Sequence, residues 1–109
     1  VAENLAQLGG TDRASVITAP AAAFLARPAE GPPFDLVFVD APYATADEEL
    51  AAVLERLDDP TRLGPLATAV VERSARSEPP RLPERWEVRW ARTYGDTLVT
   101  LASAVDVAA

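Results

Sequence analysis

The sequence predicts an α/β layered fold with an antiparallel finish. Three observations carry that prediction. Short apolar runs alternate along the chain with stretches of helical periodicity. The run Leu36-Val37-Phe38-Val39 shows no polar alternation, the pattern of a central strand covered on both faces in a parallel sheet. Near the end, Trp86, Val88 and Trp90 alternate with Glu87, Arg89 and Ala91, and the turn Tyr94-Gly95-Asp96 returns the chain as Thr97 to Ala102.

The elements follow from local chemistry. Val1, Leu5 and Leu8 share one helical face and Gly9-Gly10 stops it, so the chain opens on the end of a helix. A domain rarely begins halfway through a helix, and an N-terminal truncation is expected. Ser15 to Thr18 reads as a short strand, and Ala21 to Ala26 as a short helix started after Pro20. The loop Pro28 to Pro33 leads into the apolar strand. Thr45 and Glu48 have capping-box spacing, Asp47 to Glu49 suit a helix N-terminus, and Leu50, Val53, Leu54 and Leu57 form a stripe. Asp58-Asp59-Pro60 ends that helix and Gly64-Pro65 reads as a turn. Ala67 to Glu72 is another apolar strand, followed by a proline-punctuated basic loop from Arg73 to Pro83.

Composition narrows the chemistry. The chain is 49% hydrophobic and 25% charged, as globular domains are, and has no apolar run long enough to span a bilayer. It shows no secretory leader, so the cytoplasm is the expected compartment. With no cysteine and no histidine there are no thiolate metal ligands, and neither the commonest metal ligand nor the usual proton shuttle is present; no metal site is expected. All ten basic residues are arginine, which excludes Schiff-base chemistry and a lysine-bearing phosphate loop. The net charge of −7 disfavours a nucleic-acid groove taken over the whole chain. Residues 40–59 hold seven acids against Arg56, and residues 73–92 hold six arginines against three glutamates. Both stretches read as solvated surface.

The strand that begins at Phe34 ends in Asp40-Ala41-Pro42-Tyr43, at the carboxyl end where open α/β sheets bind ligands. A carboxylate, the Ala41 carbonyl, a stiff proline and a flat ring suit a planar base with an exocyclic amine. Two acceptors take its N–H groups and the ring stacks on it. Such help is electrostatic and positional, and needs neither histidine nor cysteine. The same four residues also fit a plain structural part: an acid capping a loop and a tyrosine packed on the next helix.

FDLVFVDAPY (34–43) resembles the N/D-P-P-Y/F motif of class I S-adenosylmethionine-dependent amino-methyltransferases. The chain is similar, more closely, to the C-terminal half of the RsmD-type 16S ribosomal RNA guanine-N2 methyltransferases. The likeness runs through ENLAQLG (3–9), AAAFLA (21–26), AVVERS (69–74), PERW (83–86) and YGDTLVTL (94–101), with FDLVFVDAPY its specific part. It implies a Rossmann-like class I methyltransferase sheet of which residues 1–109 are a partial domain, the N-terminal cofactor-binding strands lying upstream of Val1.

Carried over by position, Asp40 and the Ala41 carbonyl hold a guanine amino group, Pro42 shapes the loop and Tyr43 stacks. S-adenosylmethionine is the implied cofactor, with Pro20, Ala21 and Asp40 beside it. Ala41 stands where the family usually has proline. Pro20 stands where it often has Asp or Asn near the adenine, which leaves backbone such as the Ala21 N–H for that contact. The implied partner is ribosomal RNA or the small ribosomal subunit, with no membrane, and the chain alone is expected to be inactive.

The class I strand order, 3-2-1-4-5-7-6, makes Leu36–Asp40 strand 4. It should pair with Ala67–Glu72, and that strand with the hairpin formed by residues 86–93 and 97–102. Ser15–Thr18, as strand 3, should be detached or slid into the gap beside strand 4. The exposed edge favours self-association. Two other readings stand beside this one: a nucleic-acid adenine-N6 methyltransferase, and a non-catalytic α/β interaction domain. A phospho-receiver would need a lysine, and there is none.

Overall fold

The computed structural model describes residues 14–105. The expected helix end at Val1–Gly10 lies outside them. The described elements are α1 (Ala21–Leu25), β1 (Phe34–Asp40), α2 (Asp47–Leu57), β2 (Leu63–Ser74), β3 (Trp86–Tyr94) and β4 (Thr97–Ala104). The strands form one mixed sheet in the order β1-β2-β4-β3, with β1 parallel to β2 and the other neighbours antiparallel. This is the 4-5-7-6 end of the class I order, an α/β architecture of the methyltransferase type.

Helix α2 forms because its apolar residues recur at helical spacing and its first turn carries Asp47, Glu48 and Glu49 against the helix dipole. It buries Leu50, Leu54 and Leu57 against one face of the sheet, where Val37, Val39, Ala69, Val71, Ala102 and Ala104 meet it. The capping box expected of Thr45 and Glu48 does not form. Ala46 is the N-cap, without a side-chain bond, and the Thr45 carbonyl instead accepts from Arg73. Past the C-terminus, the Asp59 carboxylate accepts from the Thr61 hydroxyl and N–H, which hold its pKa below the usual carboxylate range.

No described element covers the other sheet face. Register places Phe38, Val70, Leu101 and Trp90 in one row across all four strands. Phe38 is 71% exposed, so β1, expected to be covered on both faces, is covered on one among the described residues, where it is also an edge strand. Ser15–Thr18 is not a strand. It runs outside the sheet with Val16 and Ile17 exposed, because no ladder partner reaches it among the described residues.

Two ladder irregularities explain further departures. Gly64-Pro65 is not a free turn but lies inside β2, where Phe34 pairs with Leu63 and Leu36 already with Thr68. The extra β2 residues loop out there, a place that suits a proline without a donor. In the hairpin, register passes from Val88–Ala102 to Trp90–Leu101, so Arg89 is bulged out. Trp86 therefore points to the helix side and is buried, whereas Trp90 points to the bare face. The simple alternation of Trp86, Val88 and Trp90 expected from the sequence is broken at that bulge. The indole N–H of Trp86 donates to Asp58 at 3.1 Å, beside the Arg85–Asp58 ion pair at 2.5 Å.

Burial sets the energetics of each position. Leu54→Ala, at a fully buried site, should cost about 2–5 kcal/mol of stability in urea unfolding. Phe38→Ser on the bare face should cost well under about 1 kcal/mol in the same measurement. Equal costs would mean that the bare face is covered in solution.

Candidate active site

The tip of β1 opens on two concavities. A groove of about 610 Å³ lies between α1, β1 and α2. Pro20, Ala21, Asp40, Ala41 and Pro42 meet around it, and its walls are apolar, with Phe24, Val37, Leu50 and Val53 among them. A shallower concavity is lined by Asp40, Ala41, Pro42, Tyr43 and Glu72. Asp40 thus borders both hollows. The residues assigned to the cofactor share the first with Asp40, and Tyr43, assigned to stacking, shares the second.

The tip is shaped by its neighbours. Pro42 accepts from the Thr45 N–H at 2.9 Å, closing a turn over Tyr43 and Ala44. Arg73, 2% exposed at the end of β2, donates to the carbonyls of Pro42 (3.3 Å) and Thr45 (2.8 Å) and to Asp47 (3.1 Å). The hydroxyls of Tyr43 and Thr97 share a hydrogen bond of 2.7 Å, which ties the ring to β4 while leaving the side chain 51% exposed. Glu72 is level with Asp40 in the parallel ladder and has no ion pair among the described residues. At the other end of β2, buried Arg62 donates to the carbonyls of Phe24 and Arg27 and lies 5.0 Å from the centre of the Phe24 ring. It fixes α1 as one wall of the groove.

Arg62, Glu72, Arg73 and Thr97 were not singled out by sequence reasoning. The signal for Arg73 was present: Ala67, Ala69, Val71 and Arg73 fall on one face at period two, and the first three are core residues. The acidic and basic stretches, read as solvated surface, in part face each other. Arg73–Asp47, Arg81–Glu48 and Arg85–Asp58 link the basic segment to the start and end of α2.

The arrangement can hold a flat ring on Tyr43 with its polar edge toward Asp40 and the Ala41 carbonyl. Toward S-adenosylmethionine the described residues fit one part only. The backbone at Ala21 suits the adenine side, and no glycine-rich loop that would hold the rest of the cofactor lies among them. No group of three or more potential metal ligands occurs among the described residues, and no helix there is long and apolar enough to cross a membrane.

The profile of a family described as "Conserved hypothetical protein 95" matches residues 1–103. The chain belongs to the conserved hypothetical protein 95 family. Solved structures similar to the chain sharpen the picture. The Escherichia coli structure "Putative methyltransferase yhhF" is 27% identical with a TM-score of 0.78, covering 95% of this chain and 54% of its own. The Haemophilus influenzae "putative methylase HI0767" is 28% identical with a TM-score of 0.77, covering 95% and 63%. A Streptococcus pyogenes "conserved hypothetical protein" shares the fold at 24% identity and a TM-score of 0.80, covering 94% and 61%. The chain therefore spans between 54% and 63% of the length of these structures. No curated protein matches it.

The Arg62 contacts carry a direct test. Arg62→Met should speed amide exchange at Phe24 and Ala26 by about tenfold or more while the Leu101 amide in β4 stays protected. Unchanged exchange in α1 would show that packing alone holds that wall.

Proposed function

We propose that this chain carries the acceptor-base half of an S-adenosylmethionine-dependent methyltransferase that acts on a guanine N2 in small-subunit ribosomal RNA. The observation that carries the reading is the Asp40–Tyr43 tip at the carboxyl end of β1, set between a groove and an aromatic-floored concavity. Family membership and the methyltransferase neighbours support the reaction class. The flat platform of Tyr43 and the donor-rich amino edge of guanine support the acceptor.

The guanine amine is a poor nucleophile because its lone pair is delocalised into the ring. Asp40 and the Ala41 carbonyl each accept one N–H, which favours the pyramidal nitrogen that attacks. Tyr43 holds the base plane so that the lone pair points along the groove. S-adenosylmethionine, when bound, supplies an electrophilic methyl group on a sulfonium. Asp40, exposed beside the amine, would take up the proton that the nitrogen sheds on methylation and pass it to water. No step requires a thiol, an imidazole or a metal ion.

In the enzyme that carries this chain, Asp40→Ala should lower turnover by about 10²-fold or more, with little change in stability at so exposed a position. An active variant would return Asp40 to a structural role. Ala41→Pro should leave activity equal or higher, because proline keeps the carbonyl and fixes φ, worth about 0.4–1 kcal/mol where the backbone accommodates it. Loss of folding in that variant would show that the loop follows a different path.

A further inference from the structure

We infer that Arg73 is the positioning residue of the acceptor-base loop, acting through the Pro42 and Thr45 carbonyls while Thr97 fixes the far end of Tyr43. The inference rests on the function proposed above, because it assigns these residues to the same site. It begins with a guanidinium in an unfavourable place. Arg73 is 2% exposed, and its Nε has no hydrogen-bond partner among the described residues. A side chain present only to fill that volume would more cheaply be apolar, since a buried charge loses its hydration and an orphaned donor adds to the cost.

What the guanidinium gains is geometry. Its planar fork reaches two carbonyls that bracket Tyr43 and Ala44, and the Asp47 carboxylate on the first turn of α2. The Pro42 ring already fixes one backbone torsion, and holding the Pro42 carbonyl fixes the next. The Ala41 carbonyl is then directed by a short path with few soft torsions. The Tyr43 ring leaves this anchored turn and meets Thr97 at its hydroxyl, so it is held at both ends. One anchor comes from β2 and one from β4, the two adjacent strands at the middle of the sheet. Neither residue touches the base in this arrangement. Both act through the groups that do.

Kinetics separate positioning from mere stability. In the methyl-transferring enzyme, Arg73→Lys and Arg73→Met should lower kcat by about tenfold or more, with KM for RNA changed less than about threefold, as misplaced reacting groups behave. Lysine keeps the charge but not the fork, so it should rescue little. Thr97→Val and Tyr43→Phe remove the same hydrogen bond from residues that are not buried. They should lower kcat by the same factor, and the double variant by no more than either.

A second readout uses the 109-residue chain itself. Amide exchange at Thr45, whose N–H donates to the Pro42 carbonyl, should rise about tenfold or more in Arg73→Met, while β4 amides keep their protection. If Arg73 variants lose only melting temperature and keep kcat per folded molecule, or if loop exchange does not change, the positioning role is overturned. If loop exchange rises as expected but the parent enzyme does not methylate guanine, the proposed function fails and the positioning of the loop stands.

Discussion

A guanidinium cannot be buried without acceptors, and the geometry of this molecule follows from where β2 finds them. Arg73, at the end of β2, takes backbone oxygens from the turn after β1 and a carboxylate from α2. Arg62, just before β2, takes the carbonyls that close α1. The strand between them is the only one with a parallel neighbour on one side and an antiparallel neighbour on the other among the described residues. Its two ends therefore hold the two flanks of the groove at a fixed distance from the sheet. Leaving a buried guanidinium short of an acceptor costs about 1–3 kcal/mol or more. That is more than an exposed pair such as Arg81–Glu48 contributes, whose partners are 63% and 83% exposed.

This framework suits a reaction that needs placement more than reactive side chains. The sequence has no cysteine, histidine or lysine, so thiolate, imidazole and Schiff-base chemistry has no place to start. What the tip of β1 offers is acceptors, a ring and rigid backbone. The apolar row from Phe38 to Trp90 has no part in that chemistry; it is a surface that packing would cover.

How much of this could be read from the sequence depended on how local the cause was. The β1 run, the stripe of α2 and the final hairpin were legible because periodicity and turn residues act within a few positions. The pairing of Leu36–Asp40 with the strand at Ala67–Glu72, and of that strand with the hairpin, followed once the likeness supplied a strand order. The bulge at Arg89 was not legible, since only the partner strand reveals which residue is squeezed out. The Thr45 capping box failed because the Thr45 N–H, which the Glu48 side chain would have taken, donates to the Pro42 carbonyl, and the helix has Ala46 as its N-cap. Arg73 was misread for another reason. Its period-two position pointed inward, but its charge and the prolines after it suggested a solvated loop. The candidate residues Asp40 to Tyr43 were visible as a motif, whereas the residues that hold them came into view only through contacts from β2 and β4.

The most direct measurement of the central claim is the identity of the methylated nucleoside. The full-length protein would be given small-subunit ribosomal RNA and methyl-labelled S-adenosylmethionine, and the digested RNA analysed by mass spectrometry. Label in N2-methylguanosine is the result this account predicts. Label in N6-methyladenosine, or in protein with the RNA left unlabelled, would contradict it.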